Sequence, residues 1–181
     1  MPNGTELYRR YADGDDKAFE ELVNLYRNGL ILFINRFLHN PSVSEEIAAD
    51  TFVELILHKK RFLGNSDFRT YLYAIARHKT VDYIRKDARK KSVSTDEIAD
   101  LPDEKDIETE LIAEAEKRRL HRAIAALPQD YQAAIYLVYF EDLSYADAAR
   151  ILGKSVKQVD NAVFRAKAAL KKILTKGERS E

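Results

Sequence analysis

A predicted helix over residues 68–89 combines aromatic and cationic side chains on one face. When the helix is projected at about 100° per residue, Tyr71, His78, Arg85 and Arg89 fall on one side, with Arg77 close by. Cations neutralise phosphate and aromatic rings stack on unpaired bases, so such a face suits single-stranded or distorted nucleic acid. The alternative is a solvated basic face with a half-buried tyrosine at its edge.

The loop 62–67, which precedes this face, is rich in small and polar residues. Gly64 lets the backbone approach a ligand closely, and Asn65 and Ser66 can hydrogen-bond a base edge. Residues 59–91 contain 11 Lys or Arg and three Asp, so the electrostatic field there is cationic. An ordinary turn between two helices explains the same composition, and the sequence leaves both interpretations open.

A second set of polar and basic side chains follows a glycine turn near the C-terminus. A helix-turn-helix needs a small residue in its first helix, a glycine at the turn and an apolar residue in its second helix. Ala149, Gly153 and Val159 supply these residues at spacings of four and six. The segment 144–167 therefore predicts a DNA-binding helix-turn-helix.

The second helix of this motif presents its polar side chains on the side opposite its valines. The first residues of a recognition helix reach base edges, whereas later residues meet phosphate. We therefore predict base or near-base contacts for Lys157, Gln158 and Asn161. Arg165 and Lys167 are predicted to meet the DNA backbone or to pack their stems on the domain.

The net charge of the chain is zero, but its charges are segregated. Residues 1–93 carry a net charge of +3 and residues 117–181 one of +6, whereas residues 94–116 carry −9. The acidic segment contains Pro102 and predicts a linker. Two interpretations of it stay open: a solvated tether, or an occupant of a cationic channel on a partner.

Long helical periodicities and few Gly or Pro predict an all-α fold of two small helical domains. We place the domains at residues 1–93 and 117–181, joined by the acidic linker 94–116. The predicted helices cover residues 16–38, 44–61, 68–89, 108–126, 129–140, 144–152 and 155–174.

The same patterns predict helix caps and buried stripes. Ser44 is predicted to cap the second helix, and two pairs have capping-box spacing, Ser144 with Asp147 and Ser155 with Gln158. The residues predicted to be buried are Ile47, Phe52, Leu55 and Ile56 on the second helix and Phe68, Leu72, Ile75, Ala76 and Tyr83 on the third.

Several kinds of site are disfavoured by the sequence. The chain has no Cys, which excludes disulfides and thiolate zinc sites. Its four His are not paired at metal-ligand spacing, and Glu46 and Asp50 have no evident third ligand. There is no phosphate-binding loop and no nucleophile elbow. We therefore predict a protein that is not an enzyme and that uses no metal and no cofactor.

The sequence also bears on location. No segment approaches the ~20 apolar residues of a membrane span. The N-terminal residues lack the basic and apolar regions of a signal peptide. We therefore expect a cytoplasmic protein with no membrane span.

Taken together, these segments resemble a bacterial RNA polymerase sigma factor of the small, extracytoplasmic-function (ECF) type, over nearly the whole chain. The N-terminal resemblance rests on residues 14–22, 44–55 and 68–85. The C-terminal resemblance rests on residues 127–128, residues 136–145 and the helix-turn-helix. One helix-turn-helix is common to many regulators, but its combination with the N-terminal segments in this order and spacing is specific.

The resemblance implies a subunit that binds core RNA polymerase and directs promoter-specific transcription initiation. It implies contacts with the clamp helices of the largest polymerase subunit and with the flap region. The loop 62–67 and the third helix match the reader of the −10 element, which traps flipped bases and holds the melted strand. The recognition helix matches the −35 reader, and the acidic linker runs toward the RNA exit path.

The resemblance also assigns individual residues. Those implied to contact the −10 element are Phe62, Asn65, Ser66, Phe68, Arg69, Tyr71, Arg77, His78, Lys79 and Arg85. Those implied to contact the −35 element are Lys154, Ser155, Lys157, Gln158, Asn161, Arg165 and Lys167. Those implied to contact the polymerase are Glu46, Asp50, Phe52 and Glu54.

The chain departs from the family pattern at several of these positions. The family usually has Trp where this chain has Tyr71, Asn where it has His78, and Gln where it has Ala49. Tyr still stacks on a base, but with less area. Gln158 and Asn161 stand where Thr and Ser or Arg are frequent, so no −35 sequence is carried over.

Two rival functions remain to be separated from this one. A stand-alone helix-turn-helix regulator needs a dimer interface to read two half-sites, and its mass in gel filtration identifies it. A protein-interaction adaptor has basic faces that are only solvated, and it does not retain core polymerase. For a sigma factor we expect weak promoter binding by the free chain, strong salt-sensitive binding in the holoenzyme, and possible control by an anti-sigma factor.

Overall fold

The computed structural model describes residues 3–59, 62, 64, 66–91 and 113–177. All regular elements in these ranges are helices, which confirms the all-α prediction. They are α1 (Gly4–Ala12), α2 (Asp16–Leu38), α3 (Pro41–Leu57), α4 (Phe68–Lys91), α5 (Ala113–Ala125), α6 (Gln129–Ile135), a π-helical turn (Tyr136–Phe140), α7 (Tyr145–Leu152) and α8 (Val156–Gly177).

The chain forms two compact units. The first contains α1 to α4, and the second contains most of α5 to α8. Residues 92–112, which include most of the predicted acidic linker, lie outside the described residues, whereas residues 113–116 at its end form the start of α5. In the described ranges, no helix has the length and apolar character needed to cross a membrane.

A short N-terminal helix, α1, is absent from the sequence-based prediction. Asn3 caps it, because its side-chain oxygen accepts a hydrogen bond from the Glu6 N–H at 2.9 Å. Leu7, Tyr8 and Tyr11 then form a buried stripe at helical spacing. Through this stripe α1 packs against α2 and α4.

The helix α3 begins earlier than the sequence predicted. Asn40 caps it, and its side-chain oxygen accepts a hydrogen bond from the Val43 N–H at 3.2 Å. Pro41 then takes the first helical position, for which the fixed φ of proline is suited. The predicted Ser44 cap is therefore wrong: Ser44 is buried, and its hydroxyl donates to the Asn40 carbonyl at 2.7 Å.

Aromatic rings join the helices of the first unit. The ring of Phe33 in α2 lies 5.3 Å from that of Phe37 and 5.2 Å from that of Tyr73 in α4. Phe52 of α3 meets the edge of Phe19 of α2 at 6.4 Å. Each such ring, when fully buried, stabilises the fold by about 1.5–3 kcal/mol. Tyr73, which the sequence-based stripe omitted, is fully buried.

The predicted stripes on α3 and α4 are confirmed except at Ile56, Ile75 and Tyr83. Tyr83 is 37 % exposed, because none of residues 81–90 is buried and this part of α4 extends past the core. Ile56 is 49 % exposed on the outer side of α3, and Ile75 is only partly buried. The confirmed buried residues are Ile47, Phe52, Leu55, Phe68, Leu72 and Ala76.

Helices α7 and α8 form the predicted helix-turn-helix. The turn between α7 and α8 has Gly153 at φ 63°, a left-handed conformation that glycine adopts without steric cost. Ala149 and Val159 are buried on either side of it. At the start of α7, the Ser144 hydroxyl oxygen accepts from the Asp147 N–H at 3.1 Å, as its spacing predicted.

Candidate nucleic-acid interface

Three side chains of α4 form an outward row, Tyr71, His78 and Arg85, which we call the α4 row. They are spaced seven residues apart, about two helical turns, so they lie along one side of the helix. The His78 side chain is 79 % exposed, and its Nδ1 lies 3.5 Å from the Asp82 carboxylate. Arg85 is exposed and Tyr71 is partly buried. The structure therefore places these three predicted residues along one side of α4.

Two arginines predicted for this surface lie against aromatic rings of the first unit. The guanidinium carbon of Arg77 is 4.4 Å from the centre of the Phe37 ring. That of Arg69 is 5.9 Å from the centre of the Tyr26 ring. Cation–π contacts of this kind contribute about 0.5–2 kcal/mol. Both arginines are partly buried, so they secure α4 to α2 as well as adding positive charge.

The helix α1 anchors the loop 62–67 at its start. Tyr8 donates its hydroxyl hydrogen to the Lys59 carbonyl at 2.7 Å. The Phe62 ring lies 5.4 Å from the Tyr8 ring and 5.1 Å from the Tyr71 ring. The Lys59 ammonium lies 4.1 Å from the centre of the Tyr11 ring. Tyr8 and Tyr11 were not predicted from the sequence, although their spacing of three residues is a helical signal.

The Tyr8 hydroxyl is strongly held in its neutral form. Burial, assisted by the nearby phenols of Tyr71 and Tyr11, raises the pKa of Tyr8 to about 12. A neutral phenol keeps the hydrogen that it donates to Lys59. The anchor between α1 and the loop is therefore intact at neutral pH.

Other residues assigned to the −10 contact differ in how far they are exposed to a DNA strand. Phe68 is fully buried, and its ring stacks on that of Tyr8 at 4.9 Å, so it supports the surface from below and offers no face to a DNA strand. Ser66 is partly buried. Asn65 lies outside the described residues. Asp67, by accepting from the Arg69 N–H at 2.8 Å, fixes the start of α4.

The outer side of α3 combines acidic and apolar side chains. Glu46, Asp50, Val53 and Leu57 are spaced by three or four residues and lie along one side of the helix; we call them the α3 stripe. All four are exposed, and Leu57 is 69 % exposed. Exposed apolar side chains gathered in this way mark protein-binding surfaces. Among the described residues, no third potential ligand joins the two carboxylates in a metal site.

Two residues assigned to the polymerase contact lie off this stripe. Phe52 is buried in the core against Phe19, so its ring is not part of the outer surface. Glu54 lies between α3 and α4: one carboxylate oxygen is 3.4 Å from Lys79 Nζ and the other is 3.5 Å from His58 Nε2. Lys79, assigned to DNA, is thus engaged with a residue assigned to the polymerase.

The start of α8 presents the predicted base-contacting side chains. Lys157, Gln158 and Asn161 are exposed, and so is Arg165 one turn further along. The opposite side of the helix is buried, with Val159 among its residues. This arrangement matches a recognition helix, whose first residues face base edges when it enters a major groove.

Ser155 and Gln158 form the predicted capping box in full. The Ser155 hydroxyl oxygen accepts from the Gln158 N–H at 3.2 Å, and the Gln158 Oε1 accepts from the Ser155 N–H at 2.8 Å. The two bonds satisfy donors that a helix start otherwise leaves without partners. Both residues were also assigned to the −35 contact. Their side chains therefore have a structural role, the cap at the start of α8, in addition to that assignment.

Two of the three lysines assigned to the −35 contact also have partners within the second unit. Lys154 Nζ lies 2.9 Å from the Asp130 carboxylate at the start of α6. Lys167 Nζ lies 4.6 Å from the centre of the Tyr139 ring. A hydrogen bond with Tyr139 raises the pKa of Lys167 above its usual value. The positive charge of Lys167 is therefore secure, and it lies beside the π-helical turn.

One prominent residue of α8 was not predicted from the sequence. Phe164 is 72 % exposed, the largest exposure among the large exposed apolar side chains described. It follows Asn161 by three residues and Lys157 by seven, so it lies on the same side of the helix. The sequence did contain a signal for it, because an aromatic residue stands at a position on the polar face of the helix.

Two family models match this chain. The model for Sigma-70 region 2 matches residues 22–90, which contain most of α2, all of α3 and most of α4. The model for Sigma-70, region 4 matches residues 117–170, which contain the helix-turn-helix. The first matched region therefore lies in the first compact unit, and most of the second matched region lies in the second.

Curated relatives match along nearly the whole chain. The RNA polymerase sigma-H factor of Pseudomonas aeruginosa is 30% identical over 178 residues, which cover 93% of this chain and 92% of that protein. The ECF RNA polymerase sigma factor SigW of Bacillus subtilis is 30% identical over 175 residues, covering 89% of this chain and 91% of that protein.

Solved structures share the fold. RpoE from Bartonella quintana, in complex with the anti-sigma factor NepR, matches with a TM-score of 0.67 and 23% identity, covering 88% of this chain and 98% of that one. CnrH, in complex with the cytosolic domain of CnrY, matches with a TM-score of 0.63 and 24% identity, covering 93% and 95%. Since both family regions occur in order and relatives align over about nine tenths of its length, the chain belongs to the ECF RNA polymerase sigma factors, which direct promoter-specific initiation of transcription.

Proposed function

We propose that the two units divide promoter recognition between them. The α4 row and the loop 62–67 bind the melted strand of the −10 element. The start of α8 enters the major groove of the −35 element. The α3 stripe docks on core RNA polymerase. In this scheme the functional domains are residues 1–93 and 117–181, and the acidic linker 94–116 runs along the RNA exit path.

The α4 row is the observation that carries the −10 assignment. A melted strand needs stacking partners for its bases and cations for its phosphates. Tyr71 supplies a ring at one end of the row, and Arg85 supplies a cation at the other. Because Phe62 and Phe68 lie 5.1 Å and 6.4 Å from Tyr71, that ring is already positioned before a base arrives. Pre-positioning lowers the ordering cost of binding.

The buried and half-buried residues near this row act as its support. Arg69 and Arg77 hold α4 against α2 through their ring contacts, and they add a positive field beneath the strand. Phe68 holds Tyr71 from below. Tyr8 holds the loop through the Lys59 carbonyl. Their replacement is expected to change the shape of the surface.

The outward side of α8 supports the −35 assignment. Lys157 and Asn161 are exposed near the helix start, at positions that face base edges. Phe164 adds an apolar ring on the same side, which suits the methyl group of thymine. Arg165 lies further along and suits phosphate.

The α3 stripe supports the polymerase assignment. Its Glu46 and Asp50 suit a basic partner, and its Val53 and Leu57 supply apolar area to bury. We assign this stripe to the clamp helices of the largest subunit, and the second unit to the flap region. The RpoE and CnrH structures are complexes with protein partners. We propose that an anti-sigma factor likewise controls this chain. We also propose that the chain acts in the cytoplasm.

The experiment that tests this function is run-off transcription with bacterial core polymerase on a pool of genomic promoter fragments. Transcripts that appear only when the chain is added support the proposal. His78→Ala combined with Arg85→Ala should abolish them, because the α4 row then keeps only the Tyr71 side chain to hold the strand. Lys17→Ala, which removes an exposed cation from α2, should leave them unchanged.

Other results favour the rival functions. Retarded promoter DNA without polymerase, together with a dimer mass in gel filtration, identifies a stand-alone regulator. Failure to retain core polymerase and failure to bind DNA identify an adaptor for another protein. Promoter binding that requires polymerase and weakens steeply with salt supports the sigma-factor mechanism, since phosphate contacts release counterions.

A further inference from the structure

The helix α1 turns one of its sides toward the loop 62–67 and the start of α4. The Thr5 hydroxyl oxygen accepts a hydrogen bond from the Phe68 N–H at 3.3 Å, where α4 begins. Arg9 follows Thr5 by four residues, so the two side chains lie on the same side of α1. The position of Arg9 in α1 therefore directs its side chain toward the loop.

The Arg9 side chain reaches the backbone of this loop. A Cβ placed on Gly64 would lie 4.0 Å from Nη2 of Arg9, which is an ordinary van der Waals distance. Gly64 has φ 75°, a left-handed conformation, and it carries no side chain that could cover the guanidinium. Both residues are exposed. Arg9 therefore presents a cation beside the loop backbone, in contact with solvent.

The two arginines of α1 differ in their surroundings. Nη2 of Arg10 lies 2.6 Å from the Asp15 carboxylate and 3.5 Å from that of Glu21. In the part of the chain that the structure describes, no hydrogen bond or ion pair engages the Arg9 guanidinium. Arg9 is therefore available to an anion on another molecule. Its planar guanidinium suits phosphate, to which it donates two parallel hydrogen bonds.

We propose that Arg9 binds a backbone phosphate of the melted −10 strand, and that α1 is a third element of this interface beside the loop and α4. The inference rests on the proposed −10 role of the loop 62–67. A strand that stacks a base on Tyr71 carries its phosphates past the neighbouring surface, where Arg9 supplies a cation. The match to the Sigma-70 region 2 model begins at residue 22, so α1 lies outside it.

Holoenzyme binding to a fork-shaped promoter with a single-stranded −10 segment, measured at several salt concentrations, tests this. Arg9→Ala should weaken binding roughly 3- to 10-fold, because one charge-assisted contact is lost. It should also reduce the slope of log K against log salt by about 0.7, the value for one phosphate of a single strand. Arg9→Lys keeps the charge and should retain the slope. Arg10→Gln removes the same charge one residue away and should leave the slope unchanged, because Arg10 is already paired with Asp15.

A neutral phosphate analogue locates the contact. Each phosphate of the single-stranded segment is replaced in turn by methylphosphonate, which carries no charge. Wild-type holoenzyme should lose affinity at every contacted phosphate, whereas Arg9→Ala should become insensitive at one of these positions and stay sensitive at the others. Because a phosphate contact reads no base, the base preferences within the −10 element should be the same in both proteins. Thermal melting by circular dichroism checks that each variant is folded.

Three results overturn the inference. Equal affinity and equal salt slope in wild type and Arg9→Ala show that Arg9 binds no phosphate. Weaker binding by Arg9→Ala with every methylphosphonate response retained shows that Arg9 only supports the loop. Loss of affinity for core polymerase without DNA shows that Arg9 faces a protein. If Tyr71→Ala and Arg85→Ala also bind the fork as wild type does, the proposed −10 role fails first, which is a distinguishable outcome.

Discussion

The Lys79 ammonium lies 3.4 Å from the Glu54 carboxylate and so joins α4 to α3. The two side chains are 29% and 25% exposed, which leaves the pair partly screened by solvent. The resemblance to sigma factors assigns one of them to DNA and the other to polymerase. The pair is therefore a direct link between the helices that carry the α4 row and the α3 stripe.

This link is expected to make a small, measurable contribution to stability. Glu54→Ala and Lys79→Ala should be coupled by about 0.2–1 kcal/mol in a double-mutant cycle, the range for partly exposed ion pairs. Urea unfolding of the four proteins measures the coupling. The Arg27–Glu45 pair, at 3.9 Å and more than half exposed on both sides, is the control and should show less. Strictly additive effects at Glu54 and Lys79 argue that the pair does not form in solution.

Leu57→Glu should weaken binding to core polymerase. The variant places an unpaired carboxylate where the α3 stripe is proposed to bury apolar area, so the affinity should fall roughly 10-fold or more. Leu57 is exposed, and the fold of the free chain should not change. Leu32→Glu, on an exposed position of α2, is the matched control and should bind as wild type does. Titration of core polymerase with each labelled chain gives the affinities. Equal affinities for Leu57→Glu and Leu32→Glu would show that the α3 stripe is not part of the interface.

Tyr71→Ala should impair capture of the melted −10 strand. Loss of one base–aromatic stack costs about 1–3 kcal/mol. Tyr71→Phe keeps the ring and should retain most of the affinity. Holoenzyme binding to a fork-shaped promoter with a single-stranded −10 segment measures both variants. If Tyr71→Ala binds this fork as tightly as wild type, Tyr71 does not stack on a base.

The long helices could be predicted from the sequence because their apolar periodicity is strong. α2 begins and ends where predicted, since Asp15 caps it with bonds to two backbone N–H groups and the apolar pattern stops before Asn40. α1 was missed because it has only nine residues, and its stability comes from packing on other helices. Ser44 and Asn40 are both good capping residues, and the choice between them depends on the tertiary position of Ser44.

The candidate site, like the fold, could be predicted from the sequence only in part. The α4 row was predictable, because a spacing of seven residues places side chains on one side of any α-helix. The partners of Arg77, Lys79 and Lys154 were not, because each lies on another element of the same unit. The local sequence does not indicate such contacts between elements. The anchoring of the loop by Tyr8 is of this kind as well.

Tyr8→Phe should change how stability depends on pH. The pKa of Tyr8 is about 12 in the fold and 10.0 ordinarily, so its stabilising effect is complete below about pH 10 and is lost as pH rises toward about 12. The free energy of unfolding should therefore fall less steeply over that interval in Tyr8→Phe. At neutral pH the variant should lose about 0.5–1.5 kcal/mol, because it lacks the bond to Lys59. Identical alkaline slopes would falsify the assignment of the raised pKa to Tyr8.

Gly4→Ala should destabilise the first unit. A Cβ at this position meets the Tyr26 hydroxyl and lies 2.9 Å from Cδ1 of Phe68, so α1 must shift. Overpacking of this kind costs about 1–3 kcal/mol. Adding Tyr26→Phe removes the hydroxyl and should restore part of the loss. Thermal melting of the single and double variants measures both effects, and an unchanged Tm in Gly4→Ala shows that α1 is not docked as described.

The rings that join α1, the loop and α4 also bear on how this surface can change during evolution. Tyr8, Phe62, Phe68 and Tyr71 lie with their ring centroids 4.9 to 6.4 Å apart in each of five contacts. A larger ring at one position takes space from the others. Descendants of this chain that acquire the Trp usual in the family at the position of Tyr71 should therefore acquire a smaller side chain at Phe62 or Tyr8. Substitutions at these positions are expected to be inherited in pairs.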